Sequence, residues 1–223
     1  MGCYSSNIYL NNILMTKKNW NNFYLKINRQ YNADLNFLTL LYRFNNRRNF
    51  NKKKFLVIGA GDGPEAFEIV RNKSEVWASD FSKQSVKRLK LFNSQSKPKL
   101  KKILLMDQRD MSILPDNFFD YVVSWSVITY INKKEGKLFF ENIKKKMKKK
   151  GRMIILFSNF YKNLKNGKNA TIDKFKRTFY SETQAIKSFS GHFKIIAKTK
   201  VINFLPPAKK IKMSRSIFLL EKK

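Results

Sequence analysis

From about residue 50 onward the chain alternates between short unbroken apolar runs and longer stretches where apolar residues recur every three or four positions. The short runs at 54–59, 75–79, 101–106, 118–124 and 152–158 are rich in Val, Ile, Leu and Phe, which predicts strands buried on both faces. The stretches between them at 64–72, 82–94 and 133–149 carry a helical period. Strands alternating with helices imply a parallel sheet covered on both sides, a doubly wound α/β fold. A polar segment at 159–172 predicts a loop, followed by a helix near 181–189. Two longer runs of alternating apolar residues, 193–204 and 214–221, joined through Pro206-Pro207, close the sheet. Ahead of the first strand, residues 18–48 predict a helical segment with Phe37, Leu38, Leu40, Leu41 and Phe44 on its apolar face. Residues 1–17 are expected to be loosely ordered, leaving 18–223 as one domain.

The first strand ends in Gly59-Ala60-Gly61-Asp62-Gly63, three of the chain's eight glycines within five positions. Glycine tolerates positive φ and has no Cβ, so such a turn lets a ligand lie against bare backbone. Pro64 and Glu65 then suit the first turn of a helix. Strand, glycine turn and helix start together form a nucleotide-type site at the carboxyl end of a strand. The spacing excludes the dinucleotide fingerprint, whose third glycine would fall at Pro64, and no Gly-Lys-Ser/Thr follows as a P-loop needs. Asp80 ends the second strand, 17 residues beyond Gly63. An acid at about that distance accepts hydrogen bonds from ribose hydroxyls in nucleotide-binding α/β folds.

Five segments in order resemble the class I S-adenosylmethionine (SAM) dependent methyltransferases: the Gly59–Gly63 loop, Asp80, Asp107-Gln108 after the third strand, Leu114-Pro115…Phe119-Asp120-Tyr121-Val122-Val123-Ser124, and Lys150-Gly151 before the fifth strand. The resemblance covers roughly residues 53–158 and implies SAM as cofactor. It also implies a seven-stranded sheet in the order 3-2-1-4-5-7-6 with the last strand antiparallel, and an N-terminal helical lid. By this resemblance Gly59, Ala60, Gly61, Asp62, Gly63, Asp80, Phe81, Asp107, Gln108 and Ser124 form the cofactor site. Asp80 would take the ribose, Phe81 flank the adenine and Asp107-Gln108 meet its edge. Where the family usually has an acid, two residues before the first glycine, this chain has Val57. Asp62, loop carbonyls or a group from the N-terminal segment would then hold the cofactor's ammonium.

The net charge of +32 points toward a polyanionic partner. The excess is mostly lysine, 37 against 10 arginines, scattered along a chain also rich in Asn, Ile and Phe. That pattern fits a composition bias across the whole chain better than a dedicated nucleic-acid reader, which favours arginine. The acids are more telling, because six of the eight Asp fall between 62 and 120, beside the proposed site. A single cysteine excludes an internal disulfide and fits a reducing, cytoplasmic setting, and one Cys with one His cannot build a zinc site. No run of 18 uncharged apolar residues predicts a membrane span. Met1-Gly2-Cys3 fits an acylation pattern that would operate only in a eukaryotic host, and Met15 is an alternative start.

Methyl transfer from a sulfonium needs alignment and exclusion of water more than acid–base machinery. Ser124, Trp125, Ser126 and Tyr130 follow the fourth strand. Tyr130 stands where relatives often carry histidine, and His192 is the one imidazole; these two are the candidate catalytic residues. Trp20, Phe23, Tyr24, Tyr31 and Trp125 are candidates to touch the acceptor. The fourth motif lacks the Asn/Asp-Pro-Pro-Tyr/Phe loop of enzymes that methylate flipped bases and looks most like the small-molecule branch. The expectation is transfer to a small or lipid-linked metabolite, with nucleic acid not favoured as partner. An RNA methyltransferase using the basic surface, or a non-catalytic SAM-fold binding protein, stands as the alternative.

Overall fold

A computed structural model describes residues 17–27, 32–44, 50–163, 178–205 and 211–223. Tyr31, Cys3, Met15, the end of the polar 159–172 segment and Pro206-Pro207 lie outside the described residues. Two helices come first, α1 (Lys17–Leu25) and α2 (Leu35–Phe44). There follow β1 (Lys54–Ile58), α3 (Pro64–Val70), β2 (Glu75–Asp80), α4 (Lys83–Gln95), β3 (Lys102–Leu105), β4 (Phe119–Ser124), α5 (Lys133–Lys146), β5 (Met147–Asn163), α6 (Glu182–Phe189), β6 (Phe193–Leu205) and β7 (Ile211–Lys222).

The seven strands form one sheet in the order β3-β2-β1-β4-β5-β7-β6. β1 to β5 pair in parallel, while β7 runs antiparallel to both β5 and β6. Alternation along each strand divides the core into two apolar layers. Leu56, Ile58, Val122, Ile155, Phe157 and Phe218 face α5 and α6, where Phe139, Phe140, Ile143 and Phe189 are buried. Phe55, Val57, Tyr121, Val123, Ile154 and Leu156 face the other way, against Phe37 and Leu41 of α2, Phe67 and Ile69 of α3 and Leu89 of α4.

Three boundaries differ from the sequence expectation. The helical pattern read across 18–48 is two helices. Asp34 starts the second by accepting the Asn36 backbone N–H at 2.8 Å, a side-chain cap the apolar pattern does not register. The helix expected to reach 149 stops at Lys146, and Met147 opens β5 opposite Phe119. The run of lysines disguises this strand start: Lys146 reaches the Leu114 carbonyl and Asp116, while Lys148 pairs with Asp120. Lys150 then adopts a φ of 60°, and a side chain on Gly151 would come within 2.9–3.3 Å of three carbonyl oxygens. That bend takes up the register shift between Phe119 and Tyr121. Finally, β5 continues to Asn163 along Ile211–Ser214 of β7, so residues 159–163 are strand and not loop. Backbone pairing with a long partner strand overrides their polar composition.

Candidate active site

β1 and β4 are neighbours from which the chain leaves in opposite directions, and in open α/β sheets ligands bind at the carboxyl ends of such strands. A cavity of about 210 Å³ lies there. Gly59 and Asp80 line its floor, Phe81, Gln108 and Arg109 one side, and Trp125, Ser126, Val127, Tyr130, Ile131 and Glu135 the other, with Trp20 and Tyr24 of α1 above.

The three glycines serve different ends. Gly59 and Gly61 hold φ values of 63° and 57°, where L side chains are strained. A Cβ at Gly59 would sit 2.3 Å from Val127 Cγ2, and one at Gly61 would sit 2.5 Å from Tyr24 Oη. Gly63 lets α3 close against α4, since a Cβ there would strike Leu89 and Phe67. Gly63 thus serves packing, while Gly59 and Gly61 keep the loop flat beneath the lid helix and the cavity.

Asp80 is 5% exposed. Its Oδ2 accepts the Gly61 N–H and its Oδ1 the Ser82 N–H, each at 2.9 Å. Burial pushes its carboxyl up, and these N–H donors pull it back down. Asp62, one of the groups expected to stand in for the acid missing at Val57, does not line the cavity. Both its oxygens accept from Arg88, Nε at 2.9 Å and Nη2 at 2.8 Å. Val57 itself is a core residue. Burial is also the main cause that holds the Tyr24 hydroxyl well above its usual range, with the charges of Asp80 and Asp62 adding to it.

Of the pair after β3, Gln108 lines the cavity, whereas the carboxylate of Asp107 is held bidentately by Arg109, at 2.9 Å to Nε and 2.6 Å to Nη2. Those bonds lower the Asp107 carboxyl. Glu135 approaches the same guanidinium at 3.5 Å. The sequence gives no sign of Arg109 or Glu135 at the site. They lie 26 residues apart and meet only because α5 begins beside the turn after β3, a contact no local pattern carries.

Trp20 stands at the centre of an aromatic cluster, edge-on to Tyr130 at 5.2 Å and Phe81 at 6.4 Å and stacked on Tyr24 at 5.8 Å. Trp125 lines the cavity while its ring packs edge-on against Phe37 of α2 at 5.2 Å. Ser126 lines it with a φ of 70°, a strained conformation of the kind concentrated at functional sites. Ser124 is fully buried at the end of β4, and its Oγ has no hydrogen-bond partner among the described residues. His192 does not join this group. It precedes β6, the edge strand farthest from β3, and β6 runs parallel to β1, which puts His192 at the opposite end of the sheet from the cavity. Burial and neighbouring lysines lower its pKa, and its backbone pairs with Phe189 and Lys223.

Known proteins share this fold. Residues 56–155 match the family model described as a methyltransferase domain. Magnesium protoporphyrin IX methyltransferase from Synechocystis PCC 6803, solved with bound SAM, superposes with a TM-score of 0.69 at 12% identity, over 98% of this chain and 100% of that one. An N-methyltransferase from Bradyrhizobium japonicum WM9, solved with S-adenosyl-L-homocysteine (SAH), gives 0.68 at 13% identity over 92% and 98%. An 81-residue segment is 32% identical to part of a probable non-canonical nonribosomal peptide synthetase from Salinispora arenicola (strain CNS-205), spanning 36% of this chain and 1% of that protein. The chain thus has the Rossmann-like fold seen in these methyltransferases, and its residues 56–155 match the model of a methyltransferase domain. Among the described residues no helix is long and apolar enough to cross a membrane, and no cluster of His, Cys, Asp and Glu could hold a metal ion.

Proposed function

We propose that this protein transfers a methyl group from SAM to a small-molecule acceptor, lipid-linked metabolites included. The observation that carries the reading is the convergence of Gly59, Asp80, Phe81 and Gln108 on one cavity at the β1/β4 switch point. These residues fit an adenosyl group. The carboxylate of Asp80 uses one lone pair of each oxygen for a backbone N–H and keeps others for ribose hydroxyls. Phe81 offers a ring face and Gln108 an amide for a base. Ser124, expected from the sequence among the cofactor's contacts, is fully buried at the end of β4 and does not line the cavity.

Bound SAM supplies a methyl group on a positively charged sulfur, already activated for in-line displacement. The protein's share of the work is alignment and dryness. Trp20 and Tyr24 of α1, together with Trp125, Tyr130 and Ile131, wall the cavity. His192 being remote, the cavity contains no imidazole. Tyr130 brings a phenol, a poor base at neutral pH, so the arrangement suits an acceptor that presents its own lone pair. A walled cavity of this size favours a small group over a polymer, and lipid-linked acceptors would present a head group to it.

The net charge of +32 favours an RNA acceptor as a second reading. Incubating the protein with methyl-labelled SAM and cell extract, then separating RNA, protein, lipid and small molecules, decides between them. Label in the lipid or small-molecule fraction is the expected result, and label confined to RNA refutes the proposal.

A further inference from the structure

The lid helix lies across the route by which a ligand would reach Asp80 from above the glycine turn. Asp80 is 5% exposed, and Tyr24 Oη stands directly over Gly61. The cavity of about 210 Å³ is smaller than the roughly 300–1,000 Å³ of sites that hold small ligands. A cofactor larger than this cavity needs room on the side that Trp20 and Tyr24 of α1 wall. α1 rests on α4, and Trp20 packs edge-on against Phe81 and Tyr130, so polar bonds and aromatic contacts share its attachment.

Two of its polar attachments lead back to the glycine turn. At the first, the Oδ1 of Asn21 accepts the Ser82 hydroxyl at 2.7 Å and the Gln84 N–H at 3.5 Å. The same Ser82 hydroxyl accepts the Ser85 N–H at 3.2 Å, and the Ser85 hydroxyl donates to the Gly61 carbonyl at 2.9 Å. At the second, Arg88 Nη1 donates to the Ile27 carbonyl just beyond α1 at 2.5 Å, while its Nε and Nη2 grip Asp62 inside the turn. Asp62 is completely buried and Arg88 nearly so, with side chains 0% and 19% exposed, which marks a fixed strut and not a surface pair.

We propose that Asn21 and Arg88 are positioning residues that latch α1 over the cofactor cleft and set the rate at which cofactor exchanges. The proposal rests on the SAM-binding reading of the cleft. Neither residue touches the reacting atoms; each ties the lid to the loop on which the cofactor lies. Breaking one latch leaves the cleft's own groups in place but speeds both entry and release.

The test uses the full chain and SAH as the probe, with binding by calorimetry and exchange by stopped-flow tryptophan fluorescence, Trp20 being part of the lid. Asn21→Leu is expected to raise the SAH dissociation rate at least about tenfold, through loss of the bonds from Ser82 and Gln84, and to raise the association rate with it. Asn21→Asp keeps an oxygen for Ser82 and Gln84 and is expected to exchange at the wild-type rate. Removing Arg88 leaves a buried carboxylate unpaired and weakens the fold, so the two Asn21 variants decide the matter, and thermal unfolding of both confirms that they are folded. Wild-type rates in Asn21→Leu, or equal acceleration in Asn21→Asp, overturn the latch while leaving the cofactor reading intact. A wild-type protein that binds no SAH overturns both.

Discussion

Placing a methyl group on Gly61 tests the lid's position directly. With φ at 57°, Gly61→Ala incurs the left-handed penalty of about 1–2 kcal/mol, partly offset by the unfolded state's lost freedom. In the wild-type background the new Cβ also meets Tyr24 Oη at 2.5 Å, roughly an ångström inside ordinary contact. The ring is rigid and stacked on Trp20, so relief requires α1 to shift. Tyr24→Phe removes the offending atom, and the next one, Cζ, lies at a comfortable 3.5 Å. A double-mutant cycle separates the two costs. In urea unfolding, Gly61→Ala should cost about 2–3 kcal/mol in the wild-type background and about 1 kcal/mol with Tyr24→Phe. The coupling of about 1–2 kcal/mol is within the range for residues in contact. Equal cost in both backgrounds would show that Tyr24 does not stand over the glycine turn, and the lidded description would fail.

Other expectations follow from burial and packing. Burial pushes the Glu65 carboxyl from its ordinary 4.5 up to about 7. Its folded-state value lies above the unfolded one, so its contribution is fully present below pH 4.5 and is lost as pH rises through 7. Glu65→Gln should therefore raise stability at pH 8 by ~1–3 kcal/mol and change little at pH 4.5; equal melting shifts at the two pH values would exclude this. Phe157 is fully buried and touches Tyr180, Phe189 and Phe218, so Phe157→Ala should cost about 3–5 kcal/mol in denaturant unfolding. A loss below about 1 kcal/mol would contradict that packing. His192→Ala should leave SAH affinity and methyl transfer unchanged, and a large fall in turnover would return the imidazole to the chemistry.

The sequence carries the fold well because this fold is written in local signals. Most parallel strands are short apolar runs, three of the four crossovers carry a helical period, and the first turn has to use glycine at Gly59 and Gly61. Boundaries fail where distant pairing decides. Met147–Lys150 is strand because β4 lies alongside, and residues 159–163 because β7 reaches out to them. The cavity is legible through Gly59, Asp80, Phe81, Gln108, Trp125 and Tyr130, all close to strand ends, and through Trp20 and Tyr24 on the lid. Arg109 and Glu135 are not, since their meeting depends on how α5 docks. Asp62 suggests a cofactor ligand in sequence because its true partner, Arg88, faces it from another helix, 26 residues away. His192 stands out only as the chain's one imidazole, and topology sends it to the far end of the sheet.

The central claim is that the Gly59–Gly61 turn and Asp80 together cradle an adenosyl group. Titrating SAM into the wild-type protein and into Asp80→Ala by calorimetry measures it most directly. Saturable one-to-one binding, competed by SAH and weakened at least about tenfold in the variant, is the predicted result. No heat at millimolar cofactor, or equal affinity for both proteins, would contradict it.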